Sequence, residues 1–229
     1  MTNVANLIKQ PKEAEFEIVI AGNFNPDLFD SFWLFKEGLL GEKESADINH
    51  KEFKKGEQRK FSTQFIEVEI NKETFTIGIV DFNHYDLQTD FLLGIMEKFK
   101  NSLNDFFRIN LRLHYVFNKN SEKVSFLNSL INEKWSDFVE GEKSEAFGIR
   151  IAEPASYDNY DTEKILSVTK CFRPDLGNPI HVHTFNQFQI KGKKQIGDIL
   201  THDLVLETLN SSILNINKFF EKFDSDGLS

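Results

Sequence analysis

The sequence predicts an α+β protein with a ferredoxin-like (βαββαβ) N-terminal half, followed by a helix, a three-stranded antiparallel meander and a long C-terminal helix. The chain has 229 residues, and its 24 phenylalanines against 12 glycines and 5 prolines indicate a large aromatic interior. Apolar residues alternate with polar ones in some segments and recur every three or four positions in others, which separates strands from helices. In the first half these segments follow the order of a split βαβ unit.

The first half, residues 14–118, opens with an apolar run at 16–21 that predicts a strand. A turn at 25–27 then starts a helix. The apolar residues of this helix recur every three or four positions, and the spacing predicts that they form its buried face: Leu28, Phe32, Phe35 and Leu39. Residues 41–60 are charged and contain glycines, which predicts a long loop with room for one short strand.

A hairpin is predicted over 66–79, because apolar and polar residues alternate on both sides of a turn at Asn71. A helix over 89–107 and a half-buried strand over 109–117 complete the first half.

The second half, residues 119–223, is predicted to pack on the first, since no flexible linker rich in Pro, Gly or Ser separates the two. The two halves together are flanked by polar termini, a flexible arm at 1–13 and a tail at 224–229. The predicted elements of the second half are a helix at 121–139, strands near 144–153, 165–173 and 180–190, and a helix at 197–223.

Composition restricts the classes of partner. The 36 acidic residues outnumber the 27 basic ones, for a formal net charge of −9. This charge disfavours nucleic acid and favours a protein partner that is basic. A single cysteine, Cys171, and the absence of an apolar stretch long enough for a signal peptide or membrane span predict a cytoplasmic protein. No phosphate-binding loop or GxGxxG pattern occurs, so no cofactor is expected.

Two histidines, His181 and His183, are the candidate metal ligands. Side chains at i and i+2 of a strand point to the same side and can take two positions on a metal, with His202 as a third ligand. The same alternation also describes a strand with one solvated side, because Ile180 and Val182 lie on the other face. The second interpretation is favoured.

Arg108, Arg112 and His114 are the candidate ligand-binding residues, since all three lie on one side of the strand predicted at 109–117. They suit an anion, or RNA on a sheet with the element order of RNA-recognition domains. Ile77 stands where those domains carry a stacking aromatic residue, which disfavours RNA.

Phe219, Phe220 and Phe223 are the candidate partner-binding residues. They crowd the last turn of the C-terminal helix, and at 100° per residue they cannot all face inward. One exposed ring would then be available to a partner.

The strand Arg108-Ile-Asn-Leu-Arg-Leu-His-Tyr115, followed by the closing helix from Leu206 to Phe220, resembles a sporadically distributed prokaryotic family of uncharacterised function. Members of that family carry an Arg-Ile-Gly-Leu-Arg-Tyr-type strand, and Asn110 stands here in place of its glycine. The resemblance implies no known activity. The patchy occurrence of the family is similar to that of accessory proteins in defence or toxin–immunity loci.

The sequence therefore favours a non-enzymatic protein-binding component of a multiprotein system, for example a prokaryotic defence accessory or an immunity-type protein. A homo-oligomer is compatible with this hypothesis. Two alternatives stay open: a metal-dependent enzyme that uses His181 and His183, and an RNA- or nucleotide-binding module.

Overall fold

The structure is a computed structural model, and it describes residues 13–79, 85–115, 148–170 and 180–225. These residues form nine β-strands and four α-helices. The strands are β1 Glu13–Gly22, β2 Asn49–Lys54, β3 Gln58–Ser62, β4 Ile66–Asn71, β5 Thr74–Ile79, β6 Leu103–Tyr115, β7 Gly148–Ser156, β8 Tyr160–Lys170 and β9 Ile180–Ile190. The helices are α1 Ser31–Lys36, α2 Glu42–Ala46, α3 Tyr85–Phe99 and α4 His202–Ser225, with short 3₁₀ turns at Pro26–Leu28, Lys100–Ser102 and Ile196–Asp198.

All nine strands belong to one sheet, in the order β2-β3-β4-β5-β1-β6-β9-β8-β7. Every neighbouring pair is antiparallel. The long strand β6 pairs with β1 on one side and with β9 on the other, where Phe106 lies opposite Gln189 and Tyr115 opposite Ile180. The predicted fold class is therefore wrong. A ferredoxin-like half followed by a separate meander would leave β6 as an edge, whereas β9 satisfies its outer backbone groups and makes one continuous sheet.

The loop predicted at 41–60 is also wrong, because this region contains α2, β2 and β3. Strand β2 has the sequence NHKEFK, and all six of its residues are exposed, so no apolar alternation marks it. Pairing with β3 makes it a strand, and the pairing is interrupted by an irregularity between His50 and Glu52. Charged residues and a bulge are typical of an edge strand that does not pair with other chains.

The helices pack on one face of the sheet, and the core lies between them and the strands. Phe91 of α3 lies 6.4 Å from Phe75 of β5, measured between ring centroids. The amide of Asn186 in β9 donates a 3.1 Å hydrogen bond to the Ser212 hydroxyl of α4, and both residues are buried. We refer to this side as the helix face. Its fully buried strand side chains include Phe16, Ile18, Ile20, Val68, Ile70, Phe75, Ile77 and Phe107.

An aromatic cluster joins α1 to this core. The ring of Phe29 is stacked on that of Phe99, at 5.1 Å between centroids, and it lies 5.7 Å from Phe75. Trp33 contacts both Phe29 and Phe99. Asp30 caps the helix, since the backbone N–H of Trp33 donates to its carboxylate at 2.7 Å. These contacts determine which side of α1 faces the sheet.

The predicted helix at 121–139 lies outside the described residues. None of the helices in the described part of the chain combines the length and hydropathy that a membrane-spanning segment requires.

Candidate functional site

The side of the sheet opposite the helix face brings together the residues that the sequence predicted for ligand and metal binding. In the β6–β9 ladder, Arg112 lies opposite His183 and His114 opposite His181. Because directly opposite residues of an antiparallel pair project to the same side, these four side chains share one surface with Arg108. We call the group Arg108, Arg112, His114, His181 and His183 the imidazole face.

The three imidazoles form a stack across two strands. The rings of His114 and His181 are 4.8 Å apart and 9° from parallel. Those of His181 and His183 are 5.6 Å apart and 8° from parallel. His114 is only 6% exposed, and the other two rings are half-buried. His114 Nδ1, His181 Nε2 and His183 Nε2 are shielded from solvent and have no hydrogen-bond partner in the described part of the chain. The histidines are thus more enclosed than the solvated side that the sequence favoured.

Burial sets the protonation of His181 and His183. It lowers the pKa of His181 from 6.5 to about 4, with His114 and Arg112 acting in the same direction. Burial likewise lowers the pKa of His183 to about 4, with help from Arg112 and His181. Both imidazoles are therefore neutral at pH 7.

The arginines of the imidazole face add little net charge. The guanidinium of Arg112 lies 3.2 Å from Glu17 and 3.4 Å from Glu15, which flank it on β1. Glu15 and Glu17 thus offset the arginine charges, while His181 and His183 are neutral. A phosphate would have to compete with Glu15 and Glu17 for Arg112, and three of the imidazole nitrogens are shielded from it. This arrangement does not favour the anion and RNA hypotheses.

The geometry does not favour a metal site either. Nearly parallel rings direct their nitrogens side by side, whereas a tetrahedral metal needs ligands that converge. Among the described residues, no three His, Cys, Asp or Glu side chains are arranged to hold a metal ion. His202 belongs to α4, on the helix face, where it lies 3.0 Å from Asp86 of α3. The Asp86–His202 contact joins residues that are distant in the sequence, and no local pattern predicts it.

The structure describes only part of the phenylalanine cluster that the sequence predicted for partner binding. Phe219 is half-buried and packs against the core, so it does not supply an exposed ring. The side chains of Phe220 and Phe223 lie outside the described residues, as does Cys171.

A shallow groove crosses β7, β8 and β9 near the turn that joins β7 to β8. It has a volume of about 380 Å³ and a mainly polar rim that includes Asp161, Glu163, Gln187 and Gln189. Asp161 is already paired with Lys191 at 2.7 Å. Small-molecule sites are enclosed, whereas this groove is open to solvent.

The helix predicted after the turn at 25–27 carries a second surface of interest. The sequence predicted that this surface is buried, and the structure shows that it is exposed. Leu28 is 43% exposed, Phe32 73% and Phe35 47%. The predicted buried face is therefore wrong for these three residues, whereas Leu39 packs against the core. The helical spacing is present, but this region carries apolar residues on both sides, and the opposite side holds Phe29 and Leu34, which are fully buried. We call Leu28, Phe32 and Phe35 the apolar stripe.

Contacts through Arg59 connect Phe53 to the elements that carry the apolar stripe. Phe53 lies on the edge strand β2 and is 52% exposed. The guanidinium of Arg59 lies 4.5 Å from the centre of its ring, and Arg59 Nη1 donates to the Phe29 carbonyl at 3.0 Å. The N–H of Gly56 in the β2–β3 turn donates to Asp27 at 2.8 Å. These bonds hold β2 and β3 against the turn that precedes α1.

The segment that carries the apolar stripe is rich in acidic residues. Residues 27–47 contain six acidic residues and only two lysines. Glu37 is 2.7 Å from Lys98, and the hydrogen bond and charge of that lysine lower the pKa of its carboxyl group. Arg59 and the turn at Gly56 also contact this segment, so basic and acidic side chains both lie near the stripe.

The chain matches no protein-family model, and no curated protein matches it. The predicted resemblance to a sporadic prokaryotic family therefore stays a prediction.

Proposed function

We propose that this protein is a non-enzymatic binding component of a multiprotein system, and that the apolar stripe is the surface by which it binds a partner protein. The observation that carries the proposal is the exposure of Phe32, a large aromatic side chain that is 73% accessible next to two other exposed apolar residues. Burying a Phe side chain is worth roughly 1.5–3 kcal/mol, so a partner that covers the stripe gains substantial binding energy.

Scattered apolar residues are normal on protein surfaces and need no explanation. The apolar stripe differs because Phe32 and Phe35 are neighbours one turn apart on α1, and Leu28 lies in the 3₁₀ turn that precedes it. The segment does not depend on these three residues for its packing, since Phe29 and Leu34 already join it to the core. Large aromatic residues also dominate the energy of protein–protein interfaces.

The alternatives receive less support. A metal-dependent enzyme would need converging ligands, and the histidines are stacked in parallel. An RNA-binding sheet would need exposed stacking rings and net positive charge, whereas Arg112 is paired with Glu15 and Glu17. The setting that we propose, a prokaryotic defence or immunity-type system, agrees with the acidic composition, since a net charge of −9 suits a basic partner.

Affinity purification from native cells tests the proposal. Tagged full-length protein is compared with a Phe32→Ser/Phe35→Ser variant and with a control, Ile151→Ser, which changes an exposed apolar residue of β7. We expect a stoichiometric partner, identified by mass spectrometry, with the wild type and the control but not with the stripe variant. Equal recovery of that partner by all three proteins would overturn the assignment of the surface.

A further inference from the structure

We infer that the outer edge of β7 is a second interaction surface, and that it pairs antiparallel with β7 of a second copy of this chain. Strand β7 is the last strand of the sheet, and within the described residues it pairs only with β8. The residues from Arg150 to Pro154 are all exposed, and Ile151 is 53% exposed. Strand β7 carries no residue of the apolar stripe, so this surface is separate from the proposed partner-binding surface.

The edge at β7 lacks the features that protect the other edge of the sheet. Strand β2 is rich in charged residues, and its pairing is irregular between His50 and Glu52. In contrast, all nine residues of β7 pair with β8 in one unbroken register, and they include one arginine and one glutamate. A long, regular and weakly charged edge is a template for the addition of another strand.

The turn that joins β7 to β8 shows which backbone groups of the edge point outward. The N–H of Tyr157 donates to the carbonyl of Tyr160 at 2.8 Å, so these two residues form a hydrogen-bonded pair. Bonded and non-bonded pairs alternate along an antiparallel ladder. The backbone groups of odd-numbered residues from 149 to 155 therefore point to β8, and those of even-numbered residues from 148 to 156 point outward. Pro154 belongs to the outward set, where its missing N–H leaves the ladder with β8 complete.

These outward groups select an extended strand, because another strand offers backbone donors and acceptors at the same spacing. A second copy of this chain supplies such a strand, and twofold pairing uses the same edge on both copies. Opposite residues of an antiparallel pair project to the same side of the sheet, so the axis must pass through a residue position. With the axis at Ile151, Arg150 of each copy lies opposite Ala152 of the other. Because the backbone groups of both residues point outward, each such pair exchanges two hydrogen bonds.

Charge and apolar contact select this register. An axis at Arg150 or Glu153 would set like charges directly opposite each other. An axis at Ala152 would place Pro154, which has no N–H, opposite Arg150 in the middle of the paired segment. The axis at Ile151 moves Pro154 to the end of the pairing and brings the two exposed Ile151 side chains into contact, which removes apolar surface from water.

The strength of the dimer follows from its size and charge. Each copy contributes a single strand, so the interface is small and the dimer should dissociate on dilution. The charges of Arg150 and Glu153 cancel within β7, whereas the whole chains, at −9 each, repel one another. Added salt screens this repulsion and should therefore strengthen the dimer.

Disulfide trapping in the full-length protein tests the register. Cys171→Ser first removes the native thiol. Ile151→Cys should then form a covalent dimer on mild oxidation, because opposite Cα atoms of a non-hydrogen-bonded pair are about 4.5 Å apart. Glu153→Cys is the matched control on the same side of the strand, and it should stay monomeric because its two copies would lie roughly 14 Å apart along the strand. Equal trapping at both positions, or none at position 151, would overturn the inference.

Proline substitution tests the role of the backbone. Ala152→Pro removes an outward N–H and leaves the ladder with β8 complete, whereas Ala152→Ser keeps that N–H. Light scattering of the full-length proteins should show a mass that rises with concentration toward two chains for the wild type and for Ala152→Ser. Ala152→Pro should raise the dissociation constant at least about tenfold. A wild type that is monomeric at every concentration, or a dimer that Ala152→Pro leaves intact, would contradict the pairing.

A side-chain variant separates this dimer from the apolar stripe. Ile151→Lys sets like charges opposite each other without changing the backbone, and it should weaken the dimer as much as Ala152→Pro does. Phe32→Ser/Phe35→Ser should dimerise like the wild type. A dimer lost in the stripe variant and retained by Ile151→Lys would assign self-association to the stripe and refute the role of β7. Ile151→Ser keeps the stripe, so capture of the native partner and dimerisation are independent measurements.

Discussion

The imidazoles of His114 and His181 lie face to face across the β6–β9 ladder, with ring centroids 4.8 Å apart and planes 9° from parallel. The sequence predicted His114 as a ligand-binding residue and His181 as a metal ligand. The structure places both in one stack. The stack continues to His183 and is largely shielded from water. Its protonation state is therefore coupled to the stability of the sheet.

We expect stability to fall as the pH is lowered from 6.5 toward 4. The pKa values of His181 and His183 are about 4 in the folded protein and 6.5 in the unfolded chain, so the unfolded state binds more protons in this window. Stability from the neutral imidazoles is complete above pH 6.5 and lost on acidification. The loss should be on the order of 2 kcal/mol, since partial exposure reduces the effect.

Urea denaturation between pH 4 and 8 measures this loss. The His181→Gln/His183→Gln variant should lose less stability on acidification than the wild type, whereas His50→Gln, in the exposed strand β2, should follow the wild type. The comparison is needed because carboxylates such as Glu67, whose pKa is lowered by Lys51, also favour unfolding at low pH. Parallel curves for all three proteins would contradict the prediction.

Buried and exposed phenylalanines in and just before α1 should respond differently to truncation. Phe29→Ala removes a fully buried ring stacked on Phe99 and should cost about 3–5 kcal/mol of unfolding free energy. Phe32→Ala changes an exposed side chain and should stay within about 0.5 kcal/mol of the wild type. Chemical denaturation of both variants checks the orientation of the helix. A large loss for Phe32→Ala would mean that the stripe is part of the core.

Arg59 should stabilise the junction between β3 and the turn before α1. Arg59→Met removes the hydrogen bond to the Phe29 carbonyl and the cation–π contact with Phe53. We expect a loss of about 1–2 kcal/mol in thermal or chemical denaturation. Lys60→Met is the matched control on the same strand. Its ion pairs with Glu67 and Glu69 are partly exposed, so it should cost less than about 1 kcal/mol. Equal effects would show that Arg59 acts only as a surface charge.

The hydrogen bond between Asn186 and Ser212 should hold α4 to β9. Ser212→Ala leaves the buried amide of Asn186 without this acceptor and should cost about 1–3 kcal/mol. Ser211→Ala, at the neighbouring position where the residue is only half-buried, is the control. Hydrogen exchange of α4 should accelerate in the first variant and not in the second. Unchanged exchange in both would contradict this role.

Local patterns predicted several strands well. The alternation of apolar and polar residues placed a strand at 180–190, and β9 spans Ile180–Ile190. The predicted hairpin is present as β4 and β5, and residues Ile66 to Ile70 of β4 pair with β5. Strand β2 was missed because exposed, charged residues carry no alternation. Its strand conformation depends on pairing with β3, which no local signal records.

The sequence by itself determined which side chains share a side of each strand and which segments repeat at the helical period. Only the tertiary structure decided that β6 pairs with β9, and that Phe29 and Leu34 face the core while Phe32 faces solvent. The physical reason is that backbone hydrogen bonds are alike in every strand, so they do not identify the partner strand. A helix with apolar residues on both sides likewise has two faces suitable for burial, and packing against Phe75 and Phe99 selected one of them.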